Sequence, residues 1–451
     1  MSFTKKRIRN ELSPTQYLSL VLLIIIIMGT FLLNTPIATV GNESIGGINA
    51  LFTATSAVCI TGLTIFDTAT TFSLFGQAVI LFLIQIGSLG ILTMSTMIFL
   101  MLGRRISLKE SLIMQQSLNQ FSLGGIVGLT RNIFIVTLAI EALGGLLLSL
   151  KFVPQFGWAK GIYYSIFHSV SAFCNAGFDL MGDFSSFSAY TGDLYINLVI
   201  IGLVLVGSLG FTVILEIRKY PLQFKKWSLH SKIVVVMTCL LISFTFLFIL
   251  LVEYNNDMTL GQRPIGERLL GALFQASGSR TAGISTIDIG GLTDASKFIM
   301  LIQMFIGGSP TSTAGGIRTS TLALILLTAV SVIRGRDDIN VFKRRIPNSL
   351  AARALAISII SLLGLFLFTI ALSMLETIPF IDALFQSSSA LSTNGLSVVD
   401  TGGFRDISKL VLSLAMFMGR VGPLTLTLAL ARKHSKGQNS IRYAEEKIMV
   451  G

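Results

Sequence analysis

Charge is scarce in this sequence: Asp, Glu, Lys and Arg make up 12% of its 451 residues, against a usual share of about 25%. That is too little to clothe a water-soluble surface. Cysteine is nearly absent, and Cys59, Cys174 and Cys239 form no CxxC pair, so neither a metal site nor a redox pair is expected from them. No HExxH, GxSxG or GxxxxGK[ST] occurs, which leaves hydrolytic, zinc and P-loop chemistry without the residues they need. No nucleophile–base pair stands out, and an enzyme is the least expected class.

Apolar length is what the sequence has instead. Hydrophobic residues make up 52% of it, and runs near the ~20 residues needed to cross a ~30 Å hydrocarbon core recur along the chain. The net charge of +12 could in principle serve nucleic acid or anionic lipid; hydropathy decides for the membrane, and no nucleic-acid partner is expected. The basic start (Lys5, Lys6, Arg7, Arg9) before an apolar run could pass for a signal peptide, but the run is too long and Asn34-Thr35-Pro36 is a poor cleavage site. It is expected to be a retained first span.

Eight long spans are predicted, at 15–34, 74–102, 130–152, 194–217, 231–252, 297–333, 351–374 and 408–431. Within each successive pair lies a semi-apolar stretch of 10 to 14 residues rich in Ser, Thr and Ala, starting near Ile48, Ile162, Leu269 and Ile381. These are too short to cross and are expected to be re-entrant. With the amino terminus inside, the cytoplasmic segments hold 24 of the 34 basic residues and the outer ones 7, an asymmetry that predicts both termini in the cytoplasm. The outer segments carry 14 acids, including Asp67, Asp179, Asp183, Asp257, Asp288 and Asp400. A negative mouth would concentrate cations, although insertion bias alone would also produce this distribution.

A fourfold repeat runs through the whole chain. Leu51-Phe52, Ile166-Phe167, Leu273-Phe274 and Leu384-Phe385 each open a small, hydroxylated stretch that ends in one glycine and a large apolar residue: Gly62-Leu63, Gly177-Phe178, Gly283-Ile284 and Gly395-Leu396. The Phe-to-Gly offsets are ten, ten, nine and ten, and the glycines are spaced 115, 106 and 112 residues apart. Cys59 and Cys174 each precede their glycine by three residues, which makes them equivalent repeat positions suited to small-residue packing. Two crossings plus one re-entrant hairpin per unit give parallel repeats. The expected fold is therefore an all-α membrane protein of four parallel helix–pore–helix repeats around a pseudo-fourfold pore, with eight transmembrane helices and four re-entrant pore loops. The repeats are expected at 1–110, 111–225, 226–345 and 346–451.

The second span of every repeat carries glycines: Gly87-Ser-Leu-Gly90, Gly207-Ser-Leu-Gly210, Gly307 to Gly316, and Gly419-Arg-Val-Gly422. Close helix packing accounts for the first two. The third, Gly307, Gly308, Ser309, Pro310, Thr311, Ser312, Thr313, Ala314, Gly315 and Gly316, cannot be an uninterrupted helix and is expected to be a polar loop within the membrane. Arg420 lies mid-span, where a charge costs ~2.5 to 3.5 kcal/mol and should face a cavity or a partner. Glu141, the lone mid-span acid, is one candidate partner; a barrier near the pore axis is the other reading.

Together, the four Phe-to-Gly loops, the Gly-Gly-Ser-Pro-x-Ser-Thr-Ala-Gly-Gly segment and the mid-span arginine closely resemble the Trk/Ktr/HKT potassium transporter superfamily, in particular the membrane subunits of bacterial Ktr systems. The resemblance covers essentially the whole chain. It implies potassium uptake across the bacterial plasma membrane, with the four glycines in a selectivity filter. In relatives that pass mainly sodium the first glycine is often Ser; glycine at all four positions favours K+. It also implies that 307–316 is an intramembrane gate contacted by Arg420. The subunit would be a homodimer on a cytosolic RCK-type ring (KtrA-like) that binds ATP or ADP. The sequence has no GxGxxG, so a nucleotide site is expected on a separate polypeptide.

The filter oxygens are expected from Ile60, Thr61, Gly62 and Leu63; Asn175, Ala176, Gly177 and Phe178; Thr281, Ala282, Gly283 and Ile284; and Thr393, Asn394, Gly395 and Leu396. Backbone carbonyls would replace the water shell of K+, with Na+ a candidate activator. The nine-residue offset beside Arg280 departs from the pattern and puts the third filter segment in question. A Na+- or H+-coupled symporter is the alternative, and it calls for an acid in the pathway.

Overall fold

A computed structural model describes residues 14–90, 126–221, 223–336 and 338–422. The basic tails, most of the 103–131 loop and the far ends of the expected spans 74–102 and 408–431 lie outside the described residues. The helices fall into a fourfold pattern of outer, pore and inner helix. The first repeat contributes α1 (Pro14–Leu33), α2 (Gly47–Cys59) and α3 (Leu74–Leu89). The second contributes α4 (Ile126–Phe156), α5 (Trp158–Cys174) and α6 (Leu194–Leu209), continued by α7 (Phe211–Lys219). The third has α8 (Leu229–Val252), α9 (Ile265–Thr281), α10 (Asp294–Ile306) and, after a loop, α11 (Thr319–Ile333). A hairpin follows, β1 (Ile339–Val341) paired antiparallel with β2 (Arg344–Ile346), and then the fourth repeat with α12 (Asn348–Leu375), α13 (Phe380–Leu391) and α14 (Asp406–Val421).

The outer helices are dressed for lipid. Leu240, Phe244, Leu247 and Leu251 on α8 and Leu363, Phe366, Leu367, Ile370 and Met374 on α12 are all exposed, faces that suit hydrocarbon and not water. The pore helices are buried through their last turns. They are 13, 17, 17 and 12 residues long, so two exceed the expected 10 to 14. Each inner helix packs on the pore helix of the following repeat: α3 on α5, α6 on α9, α10 on α13, and α14 back on α2. This closes the chain into a ring of four parallel units.

The inner spans are not single straight helices. Each stops at a glycine with left-handed backbone: Gly90 (φ 77°), Gly210 (φ 95°), Gly307 (φ 68°) and Gly422 (φ 92°). At Gly210 the two halves meet at 103°. Among the described residues, three helices, α4, α8 and α12, are long and apolar enough to cross alone, and the bent pair α6 and α7 makes a fourth. The packing explanation of the Gly-Ser-Leu-Gly segments holds for their first glycine only. A Cβ on Gly87, Gly207 or Gly419 would run into the carbonyl oxygen of Val58, Phe173 or Leu391 at the end of a pore helix. The second glycine breaks the helix, because its positive φ is open to glycine and costly for other residues.

The residue four beyond each inner-helix N-cap fastens the outer rim. Gln77 Nε2 donates to Phe72 O (2.9 Å) and Asn197 Nδ2 to Tyr190 O (2.7 Å), each within its own repeat. Lys297 and Lys409 reach across instead, to Asp382 Oδ1 (2.9 Å) and Asn49 Oδ1 (3.1 Å) in the first turn of the next pore helix. Lys297 and Asp382 are both buried, and removing one partner of such a pair costs about 3 to 5 kcal/mol.

Candidate functional site

The segment after each pore helix is shaped by how that helix ends. In α2 and α5 the cap residues Ile60 (φ 59°) and Asn175 (φ 58°) are left-handed, and the next amide closes back on the helix, Thr61 N to Ser56 O (2.8 Å) and Ala176 N to Ser171 O (2.8 Å). This is a Schellman ending. In the fourth repeat Thr393 (φ 52°) has the left-handed role and Asn394 N donates to Ser389 O (2.9 Å). The third repeat omits one residue. Ala282 stays right-handed (φ −107°), and Gly283 N itself makes the closing bond to Gly278 O (3.3 Å). The nine-residue offset is the loss of the left-handed residue, and Gly283 still arrives at the level of the other three glycines.

Those glycines meet. Gly62, Gly177, Gly283 and Gly395 have φ of 83°, 74°, 65° and 102°. A Cβ on Gly62 would lie 2.5 Å from Ala176 O, and one on Gly177 would lie 2.9 Å from Ala282 O. A Cβ on Gly283 would meet Asn394 O and come 2.9 Å from Gly395 Cα, and one on Gly395 would meet Thr61 O and come 3.0 Å from Gly62 Cα. The four positions thus form a closed ring in chain order. Each presses on the carbonyl that precedes the next glycine, so no side chain fits between them. The expected segments 60–63, 175–178, 281–284 and 393–396 are brought together around one axis, and the carboxyl ends of four pore helices aim partial negative charge toward it.

Next to the ring is a cavity of about 690 Å³, lined by the four glycines and by Asp179, Asp288 and Asp400. Asp179 is two residues beyond Gly177. Burial pushes its carboxyl up to about 6, nearby Asp67 adds to the rise, and the Met181 amide (3.0 Å) opposes it. The Asp288 and Asp400 side chains accept from Gly290 N and Gly402 N (both 2.9 Å), which fixes the turns that carry them.

On the other side of the ring lies the loop 307–318. Ser309 N donates to Ser208 O (3.1 Å), Thr313 N to Gly207 O (3.4 Å) and Thr319 N to Gly308 O (2.9 Å), while Phe211 N donates to Thr311 O (3.0 Å). The loop therefore sits in the gap opened by the break between α6 and α7. A Cβ on Gly315 would strike Ser392 O and Thr393 Oγ1, so the loop passes directly against the segment that follows the fourth pore helix.

Three arginines hold it. Arg420 donates to Thr313 O (2.6 Å) and to Gly87 O. Arg280 donates to Gly307 O (3.1 Å), Ser208 Oγ (3.3 Å) and Ser309 Oγ (3.4 Å). Arg318 donates to Ser309 O (3.1 Å) and Ala314 O. Among the described residues no carboxylate forms an ion pair with any of them. Glu141 is thus not the partner of Arg420: its carboxylate accepts from Gln85 Nε2 (3.1 Å) and Cys174 Sγ (3.5 Å) instead. Carbonyl oxygens, not an acid, satisfy the Arg420 guanidinium.

Arg280 and Arg318 fall within the third re-entrant stretch and the predicted 297–333 span, and sequence reasoning assigned them no task. Their charge at that depth was the available signal. Cys59 and Cys174, the last residues of α2 and α5, are free and buried, in keeping with small-residue packing. Chemically, the arrangement offers a ring of backbone oxygens with an acidic vestibule on one side and an arginine-pinned loop on the other.

Residues 24–442 match the family described as TrkH, cation transport protein. The chain is 39% identical over 439 residues, 97% of both chains, to Ktr system potassium uptake protein B of Bacillus subtilis. It is 37% identical over 455 residues, 100% of both, to the potassium/sodium uptake protein NtpJ of Enterococcus hirae. Among solved structures, the potassium transporter TrkH from Vibrio parahaemolyticus superposes with a TM-score of 0.70 at 20% identity, covering 94% of this chain and 86% of that one, a likeness of fold.

Proposed function

Because the chain belongs to the TrkH family of cation transport proteins, we propose that it carries potassium into the cell through the four-glycine ring, driven by the membrane potential and gated by the 307–316 loop. The closed ring of Gly62, Gly177, Gly283 and Gly395 is the observation that carries this reading. A K+ ion entering so narrow a path must exchange its water for protein oxygens, and carbonyls are the ligands that glycine leaves uncovered. Each charge gains ~2.3 kcal/mol per 100 mV, so uptake needs no second ion.

The vestibule acids gather cations at the mouth, and the three arginines oppose their passage until the loop moves. With both termini cytoplasmic, as the 24 to 7 distribution of basic residues favours, the vestibule faces outward. Control is assigned to a separate cytosolic RCK-type ring carrying ATP or ADP, since this sequence has no GxGxxG, and the working unit to a homodimer. The name of the Enterococcus relative makes Na+ the ion to examine as activator or competitor.

The symporter reading would require an acid in the pathway; Glu141 is engaged by Gln85 and Cys174 and is not among the residues lining the vestibule. Reconstitution into liposomes with imposed K+, Na+ and H+ gradients separates the two. Flux is expected to reverse at the K+ equilibrium potential whatever the other gradients; a reversal point that moves with Na+ or H+ would establish coupling instead.

A further inference from the structure

Asn175 stands where the ring and the loop meet. Its Nδ2 donates to Thr313 Oγ1 (2.9 Å) and its Oδ1 accepts from Thr281 Oγ1 (2.7 Å). All three residues are buried, with 0%, 1% and 2% of their surface exposed for Asn175, Thr313 and Thr281. A buried bond of this kind is costly to lose, and the three residues are tied further into the ends of α5 and α6, since Asn175 Nδ2 also donates to Phe173 O (3.1 Å) and Thr313 Oγ1 to Gly207 O (3.2 Å). Asn175 and Thr281 each lie two residues before their ring glycine, while Thr313 is the loop residue whose carbonyl Arg420 holds. One loop residue thus touches both the restraining arginine and the second filter segment, and through Asn175 it is linked to the third.

The other half of the ring lacks this connection. Ile60, at the register position of Asn175 in the first repeat, has no polar side-chain atom, and the hydroxyls of Thr61 and Thr393 find no partner among the described residues. On the connected half the link is doubled, because Arg280, one residue before Thr281, holds Gly307 O at the start of the loop.

We propose that Asn175 couples the loop to the ring: while Thr313 is seated, the second and third filter segments are held at the spacing that prefers K+, and release of the loop loosens both. This rests on the reading that the ring selects and the loop gates. Coupling of this kind is reciprocal, so K+ in the ring also favours the seated loop.

Thr313→Val keeps the shape of the side chain and removes the hydroxyl. In liposomes it is expected to lower the K+ to Na+ flux ratio by about two- to tenfold, the range one neutral hydrogen bond supplies, and Thr281→Val should do the same. Thr319→Val removes a hydroxyl that meets Ser309 Oγ within the same loop (3.0 Å); it should alter flux and leave the ratio unchanged. Gly62→Ser serves as the reference. If it shifts the ratio and Thr313→Val does not, the coupling is overturned and the ring reading stands. If neither moves the ratio, the ring reading falls and takes the coupling with it. Should the valine variants fail to fold, thiol labelling of Ser312→Cys in a Cys239→Ser background gives a second readout, since Cys59 and Cys174 are buried. K+ is expected to slow labelling from the cytoplasmic face relative to Na+, and equal rates would overturn the proposal.

Discussion

Asp179 is the residue at which pH acts on the vestibule beside the ring. Burial holds its carboxyl at about 6, against an ordinary value of 3.8, so it takes up a proton as the solution in the vestibule falls below that point. The vestibule then loses a negative charge beside the ring, worth about 1 kcal/mol, or about fivefold in local K+. Uptake is expected to fall severalfold between pH 7 and pH 5 with a midpoint near 6, and Asp179→Asn should flatten the profile at the lower level. An unaltered profile in that variant would assign the step to another group. Stability moves in the opposite sense. The raised value means that the protonated form favours the fold; this increment is complete below 3.8 and is lost as pH rises through about 6.

Among the elements, the loop 307–318 and its three arginines carry the proposed gate. Arg420 makes two charge-assisted bonds, to Thr313 O and Gly87 O, each worth about 1.5 to 3 kcal/mol. Arg420→Ala is expected to raise K+ flux about tenfold or more in the absence of any cytosolic partner, measured as uptake into K+-depleted cells or liposomes. Loss of flux in a variant that still folds would make the arginine a structural brace instead. The loop was legible in the sequence because five of its residues, Gly307, Gly308, Pro310, Gly315 and Gly316, cannot share a helix. The breaks at Gly90, Gly210 and Gly422 were not, because a Gly-Ser-Leu-Gly or Gly-Arg-Val-Gly segment reads the same whether it packs or bends; the sign of φ is set by what surrounds it. The tasks of Arg280 and Asn175 were hidden for a different reason. Their partners lie 27, 106 and 138 residues away, and only the closed arrangement of repeats brings them together.

For the whole molecule, the fourfold register made the architecture readable, because four copies of one pattern check one another. The copies are not equal, and they differ in the left-handed residue missing from the third repeat, the long loop in its inner span, the arginine in the fourth where the first two have Ser88 and Ser208, and the lysines that tie the third and fourth repeats to their neighbours. The ring belongs to all four units at once, since each glycine is pressed against the carbonyl that precedes the next glycine. The most direct measurement is the K+ to Na+ flux ratio of Gly62→Ser beside the parent protein in liposomes. A serine Cβ at φ 83° would lie 2.5 Å from Ala176 O, forcing one side of the ring apart, and the preference for K+ is expected to fall. Retained uptake with an unchanged preference would mean that the ion does not pass through these four glycines.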